Sequence, residues 1–398
     1  MNKRLFDWAL EYIDQSTKIK EYSIDLSELT IIVPTYKRSD YAIRTMAYWS
    51  RQSAFVSIMD GSPEALPNGL LEVIGGIKNI SYNHAPISLP DRIRLAIAST
   101  KTKYVMCLAD DDFYLPSGLA FAMQVLEGSK YAKACMGQSV GLDLYNNLRP
   151  YFFSYGESLK GYSVEGEAVA ERMQNGICNY RSAAFYAVYK TKEFEKIWSD
   201  IQRSSCPEQI EYEQAIRTYL AGALVTSPEI YWVRSFECDP VPSPIDGARS
   251  INFSSWFCAS VYERERTEFI DRLTRSLRIN TSLSEFEARA LLLDLCNHIV
   301  AGSHVGLAGP PPAFAVTVTW LKMLPSQGRT SGFIDKLRHS KIGVRLRAQL
   351  LYFSRRKIES SNPSLAGAHG EAAAILIFVG QFLSVLGCDT NTFRSCKN

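Results

Sequence analysis

Three adjacent aspartates, Asp110, Asp111 and Asp112, follow directly on the apolar run KYVMCLA at 103–109. Neighbouring carboxylates repel one another unless something offsets their charge. A hard divalent cation with oxygen ligands does this, and Mg²⁺ or Mn²⁺ keeps coordination positions open for phosphate oxygens. The bland alternative is a solvated turn, with Asp112 favouring the start of a helix opened by Pro116. Two more groups stand at the ends of apolar runs: Pro34, Thr35 and Tyr36 after LTIIV, and Asp60 at the head of the turn DGSP. Further on, CPEQIEYEQA at 206–215 places Glu208, Glu211 and Glu213 near the start of a helix, where acids are favoured by the helix dipole in any case.

These residues need elements that bring them together. Leu29–Val33 is a continuous apolar run ended by Pro34, the pattern of a strand buried on both faces. Ser39 is an expected N-cap for a helix over Asp40–Arg51. A second strand is expected over Phe55–Met59, a weaker third over Asn79–Asn83, a helix over Pro90–Ser99 and a fourth strand over Lys103–Ala109. Strands alternating with helices make a mostly parallel α/β sheet, and such sheets bind ligands beyond the carboxyl ends of their strands. The three groups therefore converge on one edge. Residues 1–22 form an amphipathic helix with Leu5, Trp8, Ala9 and Tyr12 on one side. CDPVPSPIDG at 238–247 is a linker, and the sequence beyond it is helical, for example over Ser284–Val300 and Ile342–Lys357.

In four segments the sequence resembles the family-2 glycosyltransferases of GT-A fold: IIVPTYKRSDY at 31–41, IMDGSPE at 58–64, RIRLAIASTKTKYVMCLADDDFYLPSGL at 92–119 and IEYEQAIRTYLAG at 210–222. The resemblance covers about 30–240 and is strongest in LADDDFYLP. It implies a Rossmann-like GT-A domain over 30–240, between an N-terminal helix at 1–29 and a helical C-terminal domain at 241–398. It also implies an inverting, metal-dependent transfer from a nucleotide-diphosphate sugar to a saccharide or lipid-linked acceptor, in bacterial surface polysaccharide or glycoconjugate synthesis. Pro34, Thr35, Tyr36 and Asp60 fall where the family contacts base and ribose, Asp110 at a ribose or donor contact, and Asp111 and Asp112 on the side of the metal, Mn²⁺ or Mg²⁺. Inverting transfer needs a carboxylate to take the acceptor's proton. The alignment puts Glu211 at that position, with Glu208 and Glu213 as alternatives. Lys37 replaces the family's usual Asn in the first loop, and Arg94 stands where an Asn commonly precedes the fourth strand.

Arg92 and Arg94 share a helix turn before the triplet and are candidate diphosphate contacts or a solvated face. Tyr180, Phe185, Tyr186 and Tyr189 are core packing or a surface on which sugar rings stack. His298 and His304, near Cys296, lack metal-ligand spacing. Two rival readings remain: a sugar nucleotidyltransferase, which would want a glycine- and arginine-rich first loop, and a non-catalytic nucleotide-sugar-binding protein.

Composition sets the outer limits. The 398 residues are 46% apolar and 21% charged, which excludes a disordered chain, a collagen-like fibre and a coiled-coil rod. A net charge of +3 argues against a chain built wholly around nucleic acid. Acids at 7, 11 and 14 interrupt the N-terminus before a signal core can form, and the apolar stretch near 372–386 is too short to span a bilayer and reads as a buried helix. Nine scattered cysteines without a CxxC pair read as reduced thiols, so a cytoplasmic protein is expected. Residues 335–357 hold eight basic residues against one acid, with apolar residues at helical spacing. That segment is either a peripheral contact with an anionic inner membrane face or a solvated helix packed on the catalytic domain.

Overall fold

The computed structural model describes residues 3–16, 24–143, 149–153, 159–235 and 251–302, together with 371, 374, 375, 378, 379, 381 and 382. The linker expected at 238–247, the basic segment 335–357 and His304 lie outside the described residues.

Four parallel strands come first in the order expected of alternating β and α units. β1 (Leu29–Thr35) lies between β2 (Phe55–Asp60) and β4 (Tyr104–Cys107), and β3 (Ile80–His84) pairs with β2 on the outer edge. Apart from the exposed Phe55 and the half-buried Pro34 and Tyr82, their apolar side chains are buried, because helices cover both faces of such a sheet. α2 (Ser39–Trp49), α3 (Asn68–Gly75) and α4 (Leu89–Ser99) connect them. α2 begins at Ser39 itself, with Arg38 rather than Ser39 at the cap position and no side-chain cap bond. α4 is capped by Ser88, whose side chain accepts from the Asp91 amide, and Pro90 stands in its first turn.

The second half of the sheet is mixed. β5 (Phe113–Tyr114) follows the aspartate triplet immediately; β6 (Ala132–Asp143), β7 (Arg149–Phe153), β8 (Val188–Lys190) and β9 (Ala223–Ser235) complete the order β3-β2-β1-β4-β8-β6-β9-β5, with β7 on β6. β8 is antiparallel to β4 and β6, β6 is parallel to β9, and β5 is antiparallel to β9, with Tyr114 opposite Trp232 and Phe113 opposite Val233. This last pairing places the C-terminal end of β9 beside the triplet.

α5 (Pro116–Gly128) packs on β6 and β9, α6 (Val169–Cys178) on α8 (Pro207–Ala221), and α7 (Thr191–Trp198) on α4 and α8. The helical region α9 (Phe253–Cys258), α10 (Glu263–Asn280) and α11 (Glu285–Gly302) joins the same core through α6 and α8. Ser284 and Glu287 form a reciprocal capping box at the start of α11. α1 (Lys3–Ser16) buries Leu5 and Ala9 against the same core and packs on α2 and α3.

The described residues between 371 and 382 are helical, with Ile375, Phe378, Val379 and Phe382 buried, as the short apolar stretch led us to expect. Phe378 meets Trp8, Tyr12, Tyr48 and Phe113 with ring centroids 5.1–6.1 Å apart. The Glu371 carboxylate accepts from the Ser117 amide and hydroxyl at the N-terminus of α5, at 3.0–3.3 Å. Cys107, Cys135, Cys178, Cys206, Cys258 and Cys296 are all unpaired thiols. No described helix is long and apolar enough to cross a membrane.

Candidate functional site

The parallel register sets the site. Thr35 at the end of β1 pairs with Asp60 at the end of β2, and Leu29–Ile32 pairs with the four residues of β4, so β4 runs out into Asp110 beside the end of β1. Thr35 Oγ1 donates to Asp110 Oδ2 at 2.7 Å. The Gly61 amide donates to the Thr35 carbonyl at 2.9 Å. The three strand-end groups thus meet at one edge of the sheet.

Arg92 secures that meeting from below. Sequence reasoning offered it as a diphosphate contact, but its guanidinium is buried and Nη1 donates to the carbonyls of Thr35 and Met59 at 2.6 and 2.8 Å. It is a strut between β1 and β2, one guanidinium nitrogen shared by a carbonyl near the end of each strand. Gly61 makes room for it: a Cβ there would stand 2.6 Å from Arg92 Cζ. Gly61→Ala is expected to cost about 1–3 kcal/mol through this overpacking, read as a lowered midpoint in urea unfolding. Arg94 also turns inward, donating to the carbonyls of Trp198 and Ile201 and pairing with Asp91 at 2.5 Å.

Asp60 is buried, accepting from the Ser62 amide at 2.8 Å and the Tyr82 hydroxyl at 2.6 Å, so it closes its own turn. Pro34 and Tyr36 are half-buried at the end of β1. Lys37 has φ 54°, a left-handed conformation that costs a side chain with a Cβ about 1–2 kcal/mol and that Asn adopts more readily. The Lys37 amide donates to Ser62 Oγ at 2.8 Å, which holds the loop against the DGS turn.

The left-handed turn delivers Arg38 to the triplet. Its Nη1 donates to Asp110 Oδ1 at 2.7 Å and its Nη2 to Asp111 Oδ2 at 2.8 Å, with the guanidinium 4.6 Å from the Tyr41 ring centroid. Asp110 is 3% exposed; burial pushes its carboxyl up to about 6 and the Asp111 charge adds to this, while Arg38, Thr35 and Arg44 pull it back. Thr45 Oγ1 and Arg44 Nη2 donate to the main-chain carbonyls of Asp110 and Asp111 at 2.8 and 2.7 Å. Arg44 is fully buried among the rings of Tyr41, Phe113 and Phe382, 4.8–5.0 Å from each centroid.

Asp112 is turned the other way. It is 6% exposed, accepting from Trp232 Nε1 and the Ser235 amide, both at 2.8 Å. Burial, and then the neighbouring Asp111, push its carboxyl well above the ordinary range, while these two donors and Arg234 oppose the rise. Asp111 is the outward member, 19% exposed.

The triplet was expected to hold a divalent cation. Among the described residues no three His, Cys, Asp or Glu side chains converge as a metal set. Both oxygens of Asp110 and both of Asp112 accept from protein donors, and of the Asp111–Asp112 pair expected to hold the cation, Asp111 is bonded to the Arg38 guanidinium, which also spans Asp110. In this arrangement the residues do not fit a metal ion.

The three candidate bases separate cleanly on α8. Glu213 is fully buried between Arg217, Arg272 and Gln209, with partners at 2.8–3.1 Å, so it is part of the core. Glu208 accepts from the Phe253 amide at 2.7 Å and ties α8 to α9. Glu211 is partly exposed and accepts from the Tyr180 hydroxyl at 2.6 Å. Burial pushes Glu211 up to about 7; Tyr180 pulls it down, Glu208 pushes it up, and Arg234 pulls it down. The Arg234 charge lowers the pKa of both Glu211 and Asp112.

Sequence reasoning missed Arg38, Trp232 and Arg234, and it placed Tyr180 among packing or sugar-stacking aromatics, whereas its hydroxyl donates to Glu211. Tyr186 stands 5.0 Å from the Trp232 ring, whereas Tyr189 is buried in core hydrogen bonds and Phe185 packs on Trp198. His298 is exposed and Cys296 buried.

No protein-family model and no curated protein matches this sequence. Among solved structures, S. aureus TarS 1-349 in complex with UDP-GlcNAc is 15% identical, covers 73% of this chain and 76% of that chain, and has a TM-score of 0.45. S. aureus TarS 1-349 in complex with UDP is 15% identical over 70% of this chain and 91% of that one, with a TM-score of 0.38. A structure named S. aureus TarS is 16% identical over 69% of this chain and 55% of that one, with a TM-score of 0.39.

Proposed function

We propose that this protein is a glycosyltransferase that moves a sugar, with inversion, from a nucleotide-diphosphate donor to an acceptor hydroxyl. The observation that carries this reading is the joining of the ends of β1, β2 and β4 at one sheet edge, where Thr35 bonds Asp110; the partly exposed Glu211 on α8, bonded to Tyr180, is the candidate base. The four segments resembling family-2 glycosyltransferases fall on these elements, and the GT-A domain they imply is an α/β sheet of this kind.

In this reading the half-buried Tyr36 and Pro34 line the nucleoside side, and Asp60 holds the shape of the loop from within its turn. Glu211 takes the acceptor's proton as the hydroxyl oxygen attacks the anomeric carbon. The sugar–phosphate bond breaks on the opposite face and its electron pair leaves with the diphosphate. A base with a pKa near operating pH is well matched to that task. Tyr180 orients the carboxylate through its 2.6 Å hydrogen bond.

A thermal-shift panel of nucleoside diphosphates and their sugars, including UDP and UDP-GlcNAc, tests the reading. One base class is expected to raise Tm by a few degrees at a hundredfold excess over Kd, since ligand-linked stabilisation there is about 2.7 kcal/mol. A panel with no stabilising member would sink the reading. Stabilisation without transfer to any acceptor, or hydrolysis, would leave a binding protein.

A further inference from the structure

We propose that Arg38 is the resident counter-cation of the aspartate triplet, and that its guanidinium, not a divalent ion, faces the diphosphate of the donor. This rests on the glycosyltransferase reading above and deepens it.

The sequence argument for a metal was electrostatic: three adjacent carboxylates need a positive charge among them. The fold already provides one in contact. Arg38 spans Asp110 and Asp111 at 2.7 and 2.8 Å, with its face on Tyr41 and its side chain only 10% exposed. Three more guanidiniums surround the group. Arg44 holds the Asp111 carbonyl and acts on the charge of Asp110, the Arg92 charge is felt by Asp110, and Arg234 acts on Asp112. Asp112 is further satisfied by two neutral donors, Trp232 Nε1 and the Ser235 amide.

A dication approaching Asp111 and Asp112, which needs oxygen ligands at about 2.0–2.6 Å, would find Asp111 bonded to a fixed positive charge and both oxygens of Asp112 already accepting from protein donors. The guanidinium is held on both sides, by two carboxylates and by a ring, and is therefore a built-in group. Its planar fork of five N–H donors is suited to phosphate as well as to carboxylate, and bidentate recognition of phosphate is a task at which Arg outperforms Lys. The exposed Lys37 stands next to it in the same loop and adds a second positive charge at the rim.

The test measures binding of UDP, or of whichever nucleoside diphosphate the panel selects, to the full chain by calorimetry in EDTA and again in Mn²⁺. The expected result is the same Kd within about twofold in both media. Arg38→Gln is expected to weaken binding in EDTA by about ten- to a hundredfold, the equivalent of one charge-assisted hydrogen-bonding group, with Arg38→Lys in between. Circular dichroism establishes that each variant is folded, and if Arg38→Gln is not, the comparison of the two media decides. Binding that appears only with Mn²⁺ or Mg²⁺ would overturn the proposal and leave the glycosyltransferase reading standing. Absence of binding in both media would overturn both. Unchanged affinity in a folded Arg38→Gln would also overturn the assignment of Arg38.

Discussion

If Glu211 is the base proposed above, Glu211→Gln is expected to lower kcat for sugar transfer by about 10²–10⁴-fold and to leave the affinity for the nucleotide donor unchanged. The substitution keeps the shape of the side chain and its contact with Tyr180, so a folded, donor-binding and inactive protein is the specific outcome. The pH profile supplies an independent reading. Glu211 is held up at about 7, chiefly by burial, and it must be ionised to accept a proton. Activity is therefore full above that pH and falls about tenfold per unit below it. Tyr180→Phe removes a donor that favours the ionised carboxylate, so the acidic limb moves to higher pH in that variant. Unaltered turnover in Glu211→Gln would pass the role to Glu208, since Glu213 is sealed in the core.

Glu213→Gln is the largest expected loss of stability, about 3–5 kcal/mol, because it leaves Arg217 and Arg272 buried without the carboxylate between them. Breaking one partner of a buried ion pair costs more than the pair itself is worth, since the remaining charges stay desolvated. Arg272 belongs to α10 and Glu213 to α8, so the loss falls on the joint between the helical region and the sheet domain. Urea unfolding followed by circular dichroism measures it, and a drop below about 1 kcal/mol would mean that water already reaches the pair.

The contrast between Glu211 and Glu213 shows what the sequence could and could not reveal. All three acids of α8 look alike as acids in an early helical turn. Helical spacing nonetheless distinguishes them, because Glu213 has Gln209 and Arg217 at four residues on either side, the arrangement of an intrahelical ion pair. The ends of β1, β2 and β4 were legible for a simple reason: a strand buried on both faces is a continuous apolar run, and its end is marked where polar residues begin. What the residues at those ends face was not legible. Asp60, Asp110 and Asp112 turn towards partners 2 to 123 positions away, and no local pattern encodes the longer of those separations. The pairing of β5 with β9 is antiparallel and joins distant segments, so alternating β and α units gave no sign that Trp232 would reach Asp112. For Arg38 a clue existed. It follows Lys37, which stands where the resembling family usually has Asn, a residue that adopts the left-handed backbone found here more readily.

The ring that closes the cage around Arg44 belongs to Phe382, and this has a consequence for how the protein matures on the ribosome. Arg44 anchors the main chain of Asp111, so the floor of the acidic edge is assembled from residues far apart in the order of synthesis. At about 5–20 residues per second, Phe382 is synthesised on the order of ten to fifty seconds after Phe113. During that interval the nascent chain can form its parallel strands while Arg44, Tyr48 and Phe113 lack their covering rings. The full support of the acidic edge thereby waits on synthesis of Phe382, and a chain released before that residue would carry the edge without its covering ring.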